Sequence, residues 1–237
     1  MKILAIDSSG IVASVAVVED DSLLGEYTIN HKKTHSQTLL PMIDEVVRML
    51  ELDLHTLDAI AVAAGPGSFT GLRIGSATAK GFGLALDKPL IEIPTVDGLA
   101  YNLAGSSVAV CPVMDARRNQ VYTGLYRFEG YQMHTVIEQC AVGIDEIVEK
   151  INMHGQAVSF LGDGVHVFAS YIEEHCKVNY TFAPAHLNKQ RASAVAVLAM
   201  GYYRAGRICT AAEHRPDYLR LSQAERERME AQRHAQG

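Results

Sequence analysis

Apolar residues gather in short runs over residues 2–6, 13–18 and 23–29, separated by the polar turns Asp7-Ser8-Ser9-Gly10 and Glu19-Asp20-Asp21-Ser22. This pattern predicts three consecutive strands joined by short turns, an antiparallel meander. The period then changes. Over residues 36–50, Leu39, Leu40, Met42, Ile43, Val46, Val47, Met49 and Leu50 recur at helical spacing, with Asp44, Glu45 and Arg48 on the other side. On a helical projection the apolar set covers about half the circumference, wider than the roughly 100° stripe that covers one sheet. The helix is therefore expected to touch two things, and its surplus apolar edge points to a partner. Pro41 is tolerated only in the first turn or two, which places helix entry between Thr34 and Thr38, either of which can cap it.

Residues 57–64 read as a buried strand. They lead into Gly65-Pro66-Gly67-Ser68-Phe69-Thr70-Gly71-Leu72-Arg73-Ile74-Gly75, a tight turn running directly into a helix that ends at Leu86 before Asp87-Lys88-Pro89. Strand, glycine turn and helix N-terminus form the generic layout of an anion or nucleotide site, and the same layout also serves packing. The turn lacks the lysine that a phosphate-binding P-loop carries before its Ser or Thr. No Gly-x-Ser-x-Gly elbow occurs either, and Ser68 has no assignable His partner. Gly71, Gly75, Ala79 and Gly83 recur every fourth residue. Helical glycine costs about 1 kcal/mol relative to alanine, so this face needs a close neighbour, either the chain's own sheet or another subunit.

Further along, residues 89–93 predict a strand, 96–103 a short helix and Gly105-Ser106-Ser107 a hinge. Residues 108–114 and 120–128 then predict two strands around the turn Asp115-Ala116-Arg117-Arg118-Asn119. A helix over 144–152, a strand over 158–161, the turn Gly162-Asp163-Gly164 and a helix over 165–175 follow. An alanine-rich helix over 192–205 precedes a polar Glu/Arg segment over 222–233. Both halves open on hairpin strands and continue with alternating strands and helices, which predicts a duplicated bilobal α/β architecture. The expected division is a first lobe at 1–105, a smaller second lobe at 106–215 and a tail at 216–237.

Composition narrows the function. Hydrophobic residues make up 48% and charged residues 20% of the 237, an ordinary globular balance. A net charge of −6 argues against gripping a nucleic acid unaided, so any polynucleotide is expected to be held mainly by a partner. Cys111, Cys140, Cys176 and Cys209 lie tens of residues apart, as in a reduced cytosolic protein. No apolar run reaches membrane-spanning length and the opening run before Asp7 is too short for a signal peptide, so a cytoplasmic location is expected.

Candidate chemistry is sparse. Asp7-Ser8-Ser9-Gly10 resembles the first phosphate-binding turn of actin-like ATPases, although an ordinary hairpin turn explains it as well. Arg117 and Arg118 occupy the corresponding place in the second half, where a glycine-rich phosphate turn would otherwise stand. Together Asp7, Ser8, Ser9, Gly10, Arg117 and Arg118 are candidates for a vestigial nucleotide site. His31 and His35 have nominal metal-ligand spacing, but Lys32 and Lys33 lie between them and the segment is where strand gives way to helix, so they read as surface or capping residues. The remaining histidines read as single, and no metal set is expected.

Five stretches carry a resemblance: Ile3-Leu4-Ala5-Ile6-Asp7-Ser8-Ser9, Thr34-His35-Ser36 through Leu40-Pro41, the glycine stretch through Gly75, Asp115-Ala116-Arg117-Arg118 before Val121-Tyr122, and Pro216-Asp217-Tyr218-Leu219-Arg220. Together they resemble the bacterial TsaB (YeaZ) family from residue 1 to about 220. The resemblance implies an actin-like (ASKHA) fold with a reduced second lobe. It also implies a non-catalytic dimerisation subunit for making threonylcarbamoyladenosine beside the anticodon of tRNAs that read codons starting with A. The implied partners are TsaD, which carries metal and transfers the threonylcarbamoyl group, and the ATPase TsaE, with tRNA met only through the complex and a homodimer possible when TsaD is absent. No intrinsic cofactor is implied, ATP and metal being expected on the partners. The expected interface with TsaD is Leu39, Met42, Ile43, Val46, Met49, Gly71, Leu72, Gly75, Ala79 and Gly83. An autonomous actin-like ATPase or glycoprotease-like peptidase is the alternative.

Overall fold

A computed structural model describes residues 1–31 and 34–219. The expected polar helix over 222–233, like Lys32, Lys33 and Arg220, lies outside them. Strands β1 (Lys2–Asp7), β2 (Val12–Glu19), β3 (Ser22–Asn30), β4 (Ala59–Gly65) and β5 (Leu90–Pro94) form one sheet in the order β3-β2-β1-β4-β5. Strands β6 (Ala109–Asp115), β7 (Gln120–Glu129), β8 (Gln132–Gly143), β9 (Val158–Leu161) and β10 (Tyr180–Phe182) form the second in the order β10-β9-β6-β7-β8. In each half the first three strands pair antiparallel and the fourth and fifth add in parallel beside the first. Helices follow the third, fourth and fifth strand of each half. They are α1 (His35–Met49), α2 (Phe69–Leu86) and α3 (Thr95–Ala100), then α4 (Ile144–His154), α5 (Val165–His175) and α6 (Ala192–Arg204).

Alternation along the strands sends residues to two faces, and each face of each sheet needs cover. On the first sheet Leu4, Ile6, Val15, Val17, Ile60 and Val62 pack under α1 and α2. The opposite face, Ile3, Ala5, Ala16, Ala59, Ala61, Ile91 and Ile93, packs against Ala192, Val195, Ala196 and Ala199 of α6. Small residues on both sides let helix and sheet approach closely, which explains why α6 is rich in alanine. In the second sheet Cys111, Val113, Leu125 and Phe160 pack under α4 and α5. Its other face, Val110, Met114, Tyr126 and Leu161, receives Val96, Leu99 and Ala100 of α3. The third helix of each half thus serves the opposite half.

This exchange carries chain from beyond residue 106 back onto the first sheet. The α6 helix and the segment after it belong with the first sheet, where Leu90 and Cys209 exchange backbone hydrogen bonds of 2.8 and 2.9 Å and the amide of Asp217 donates to the carbonyl of Ala64 at 2.7 Å. Two strands were also absent from the sequence reading. Strand β8 is an edge strand with mixed exposure along its length, and β10 has three residues, so neither carries a clean alternation.

The glycines of α2 settle which neighbour the helix approaches. A Cβ on Gly71 would overlap the Ser8 carbonyl oxygen, one on Gly75 would lie 2.5 Å from Ser8 Oγ, and one on Gly83 3.0 Å from a Leu90 methyl. The close neighbour is this chain's own β1–β2 turn and β5, so a leucine at Gly75 would break the isolated fold. Gly81, on the exposed side, has nothing within 4 Å. Gly71→Ala should therefore destabilise the chain by about 1–3 kcal/mol or more, whereas Gly81→Ala should stabilise it by up to about 1 kcal/mol. Urea unfolding of both variants measures this; equal stability of Gly71→Ala and the parent would refute the contact.

Candidate functional site

The β1–β2 turn, the glycine turn after β4, the β6–β7 turn and the segment 217–219 converge on one open cleft of about 640 Å³ between the lobes. Four of the five stretches that carry the family resemblance line it. The fifth reaches it through His35, the first residue of α1, whose Nε2 lies 2.8 Å from the Gly10 carbonyl oxygen.

The β1–β2 turn is organised from within. Asp7 Oδ1 accepts from the Ser9 amide at 2.9 Å and from the Ser9 hydroxyl at 2.6 Å. The Ser8 hydroxyl donates to the Gly71 carbonyl at 2.9 Å, and the Ser68 amide donates to the Ser9 carbonyl at 2.7 Å. The Ser68 hydroxyl caps α2 by accepting from the Gly71 amide at 3.3 Å. Gly67 is needed here because a Cβ would strike the Ser9 carbonyl. The first turn therefore sits on the N-terminus of α2. Asp7 is 1% exposed and faces its own turn, not the cleft. Burial pushes its carboxyl from the ordinary 3.8 up to about 6, opposed by the two bonds from Ser9 and by nearby His35.

The facing turn from the second lobe has a different character. Arg117, Arg118 and Asn119 all adopt positive φ, at 65°, 56° and 58°, a left-handed conformation normally left to glycine. Asp115 holds it, accepting from the Arg117 amide at 2.7 Å and from its guanidinium at 3.0 Å. Arg117 lines the cleft, whereas Arg118 is exposed and does not line it. Asp163, in the glycine turn after β9, accepts from the Asp115 amide at 3.2 Å, and burial raises its carboxyl above the ordinary range.

Residues 217–219 close a third side. Tyr218 packs against Phe69 with ring centroids 4.9 Å apart and the rings tilted by 38°, and the Arg73 guanidinium lies 4.0 Å above Phe69. Gly65 has room for no side chain because the Asp217 carbonyl occupies the place of its Cβ. The charged groups lining the cleft are Arg117 and Lys189 against Asp115, Asp163 and Asp217. Among the described residues a polyphosphate would meet three carboxylates and two cations in this cleft, and the Asp7 carboxylate is enclosed. The described lining does not fit a nucleotide.

Most of the residues expected to form the partner face are enclosed within this chain. Leu39, Met42, Ile43 and Val46 lie in the core between α1 and the first sheet, Leu72 and Ala79 are buried under α2, and Gly71, Gly75 and Gly83 face Ser8 and Leu90. Of the interface residues read from sequence, Met49 is exposed, at 69%. The wide apolar face of α1 meets the sheet and α2 of the same chain, which accounts for its width. The exposed side of α2 instead carries Arg73, Ala77, Gly81 and Leu84. His31 is exposed and makes no pair with His35. The histidines are not all single, however: His214 lies beside Glu92 and Cys209. The spacing of Cys209 and His214 was visible in sequence, but Glu92 is far along the chain and joins them only through the pairing of Cys209 with Leu90.

The duplicated strand order and the cleft between the lobes define an actin-like two-lobed α/β protein. The sequence profile described as "TsaD: tRNA N6-adenosine threonylcarbamoyltransferase" matches residues 22–228, and the Bacillus subtilis tRNA threonylcarbamoyladenosine biosynthesis protein TsaB is 32% identical over 98% of this chain and 100% of its own length. The chain belongs to the TsaB (YeaZ) family, a TsaD-like branch. Escherichia coli TsaB is 33% identical over 54% of this chain and 55% of its own. The solved structure of YeaZ from Pseudomonas aeruginosa superposes with a TM-score of 0.75 at 25% identity, covering 92% of this chain and 99% of that one. Among the described residues no helix is long and apolar enough to cross a membrane.

The Asp7 environment has a measurable consequence. Its folded pKa exceeds its unfolded value, so the folded chain binds more protons between about pH 4 and pH 6. This contribution to stability is fully present below about pH 4 and is lost as pH rises through about 6. Asp7→Asn lacks it, so the variant should gain about 2–3 kcal/mol on the parent between about pH 4 and pH 7 in chemical unfolding. A difference between the two chains that does not vary with pH would sink the assignment.

Proposed function

We propose that this chain acts in the cytoplasm as the non-catalytic subunit of tRNA threonylcarbamoyladenosine synthesis, pairing with TsaD and joined by TsaE. The observation that carries its place in this synthesis is the end-to-end similarity to a relative named for it. The cleft supports a supporting rather than a chemical role. Hydrogen bonds hold the β1–β2 turn to the glycine turn and brace the β6–β7 turn from within, and among the described residues the balance of charge opposes a phosphate chain. ATP and metal belong, on this reading, to the partners, and tRNA is met through the complex, in keeping with a net charge of −6.

The surface offered to TsaD is the outer face of α2, where Ala77 and Gly81 permit close approach, flanked by Leu84, 73% exposed, and by Leu40 of α1, 56% exposed. A second copy of the chain would use the same face when TsaD is absent. Leaving the chain out of a reconstituted reaction with TsaD, TsaE, tRNA, ATP and preformed threonylcarbamoyl adenylate should abolish the modified nucleoside, and product formed at the full rate without it would end the proposal. Nucleotide turnover by the purified chain alone would equally contradict the non-catalytic role. Ala77→Arg and Leu84→Arg should weaken co-elution with TsaD at least about tenfold, while stability moves by no more than about 0.5 kcal/mol, as for other exposed positions. Unchanged co-elution would relocate the interface without touching the role.

A further inference from the structure

On the edge of the first sheet, away from the cleft lining, Glu92, Cys209 and His214 bring a carboxylate oxygen, a thiol sulfur and an imidazole nitrogen within 4.8 Å of one another. Three observations make this a built arrangement. The Leu90–Cys209 bridge fixes Cys209 beside β5. The turn that follows is closed on itself: the Thr210 amide and hydroxyl donate to Glu213 Oε2 at 2.9 and 2.8 Å, and the His214 amide donates to the Thr210 carbonyl at 3.0 Å. This turn sets His214 against the sheet, 1% exposed, with Nδ1 2.6 Å from Glu92 Oε1.

We propose that Glu92, Cys209 and His214 form a binding site for a divalent transition-metal ion, zinc by donor type. One thiolate, one imidazole and one carboxylate suit zinc among the common biological cations, and three protein ligands leave a fourth tetrahedral position to water. Glu92 is about half exposed, so that position opens to solvent. Charge matches as well: thiolate and carboxylate neutralise a divalent ion while the imidazole stays neutral. Burial holds the His214 imidazole below its ordinary range, opposed by the hydrogen bond and charge of Glu92 and assisted by Lys80 and Arg215. Burial and the acids Glu92 and Glu213 raise the Cys209 thiol to about 11, with Lys80 opposing, so binding must displace its proton to water. Arg215 turns its guanidinium onto the carbonyls of Ala212 and His214. Two oxygen or nitrogen ligands of one tetrahedral zinc stand about 3.3 Å apart given bonds of about 2.0–2.1 Å. The Glu92–His214 pair must therefore open by less than about 1 Å, a movement of the half-exposed carboxylate. A bound ion would staple the segment that carries Asp217 and Tyr218 into the cleft onto the edge of the sheet.

The test is titration of the reduced, chelator-stripped full chain with cobalt(II), which reports thiolate ligation by a charge-transfer absorption, followed by displacement with zinc. One equivalent should bind with the charge-transfer band present. Cys209→Ser should lose the band and bind at least about tenfold more weakly, while Cys140→Ser, outside the cluster, keeps both. Should Cys209→Ser fail to fold by circular dichroism, Glu92→Gln at the rim gives the decision through the same loss of affinity. Absence of the band from the parent, a band that survives Cys209→Ser, or parent-like affinity in Glu92→Gln overturns the site.

Discussion

Each half of this chain builds a sheet with two apolar faces and covers only one of them with its own first two helices. The uncovered face is closed by the third helix of the other half, α6 on the first sheet and α3 on the second. Burial of those faces is the dominant favourable contribution to the fold, so the lobes cannot be treated as independent units joined by a hinge. Polar groups follow the same exchange. The amide of Ala192, at the start of α6, donates to the Ser14 hydroxyl at 2.8 Å, and Arg191 pairs with Glu26 on β3. Asp97 on α3 accepts from Tyr126 of the second sheet at 2.6 Å and from Tyr202 of α6 at 3.4 Å, joining both exchanged helices at one carboxylate whose burial raises its pKa.

The cleft is what this arrangement leaves between the lobes, and the turns that border it are held by hydrogen bonds within the chain. The Ser8 hydroxyl, the Ser9 carbonyl and the Asp7 carboxylate hold the first turn to α2, and Asp115 holds the second. The first turn is thereby tied to the N-terminus of α2 by internal hydrogen bonds. The returning segment, with the Asp217 amide on Ala64, Tyr218 on Phe69 and the Asp217 carboxylate accepting from Gln139 of β8 at 3.3 Å, adds a wall tied to both lobes.

Much of this was legible in the sequence because local periodicity and turn chemistry coincide with the elements. The opening meander, the strand before Gly65, α2, and the strand–turn–helix order of the second half all follow from pattern. What failed was assignment of faces and neighbours. The wide apolar stripe of α1 and the glycines of α2 suggest a surface for a partner, because sequence shows that a close neighbour is needed without showing whose it is. The α6 helix follows the second lobe in the chain and was placed there, although its alanines match the small residues Ala5, Ala16, Ala59 and Ala61 of the first sheet. Glu92 stayed unconnected to Cys209 and His214 because their proximity is created by a single long-range backbone bridge.

The exchange of third helices has a consequence for synthesis. Strand β5 completes the first sheet at Pro94, but the helix that covers its second face begins only at Ala192. At about 5–20 residues per second a ribosome needs roughly 5–20 s to make the intervening chain. During that interval Ile3, Ile91 and Ile93 remain uncovered by the helix that later shields them, so the nascent first lobe presents a surface on which a chaperone, or another unfinished chain, can settle before the last helix emerges.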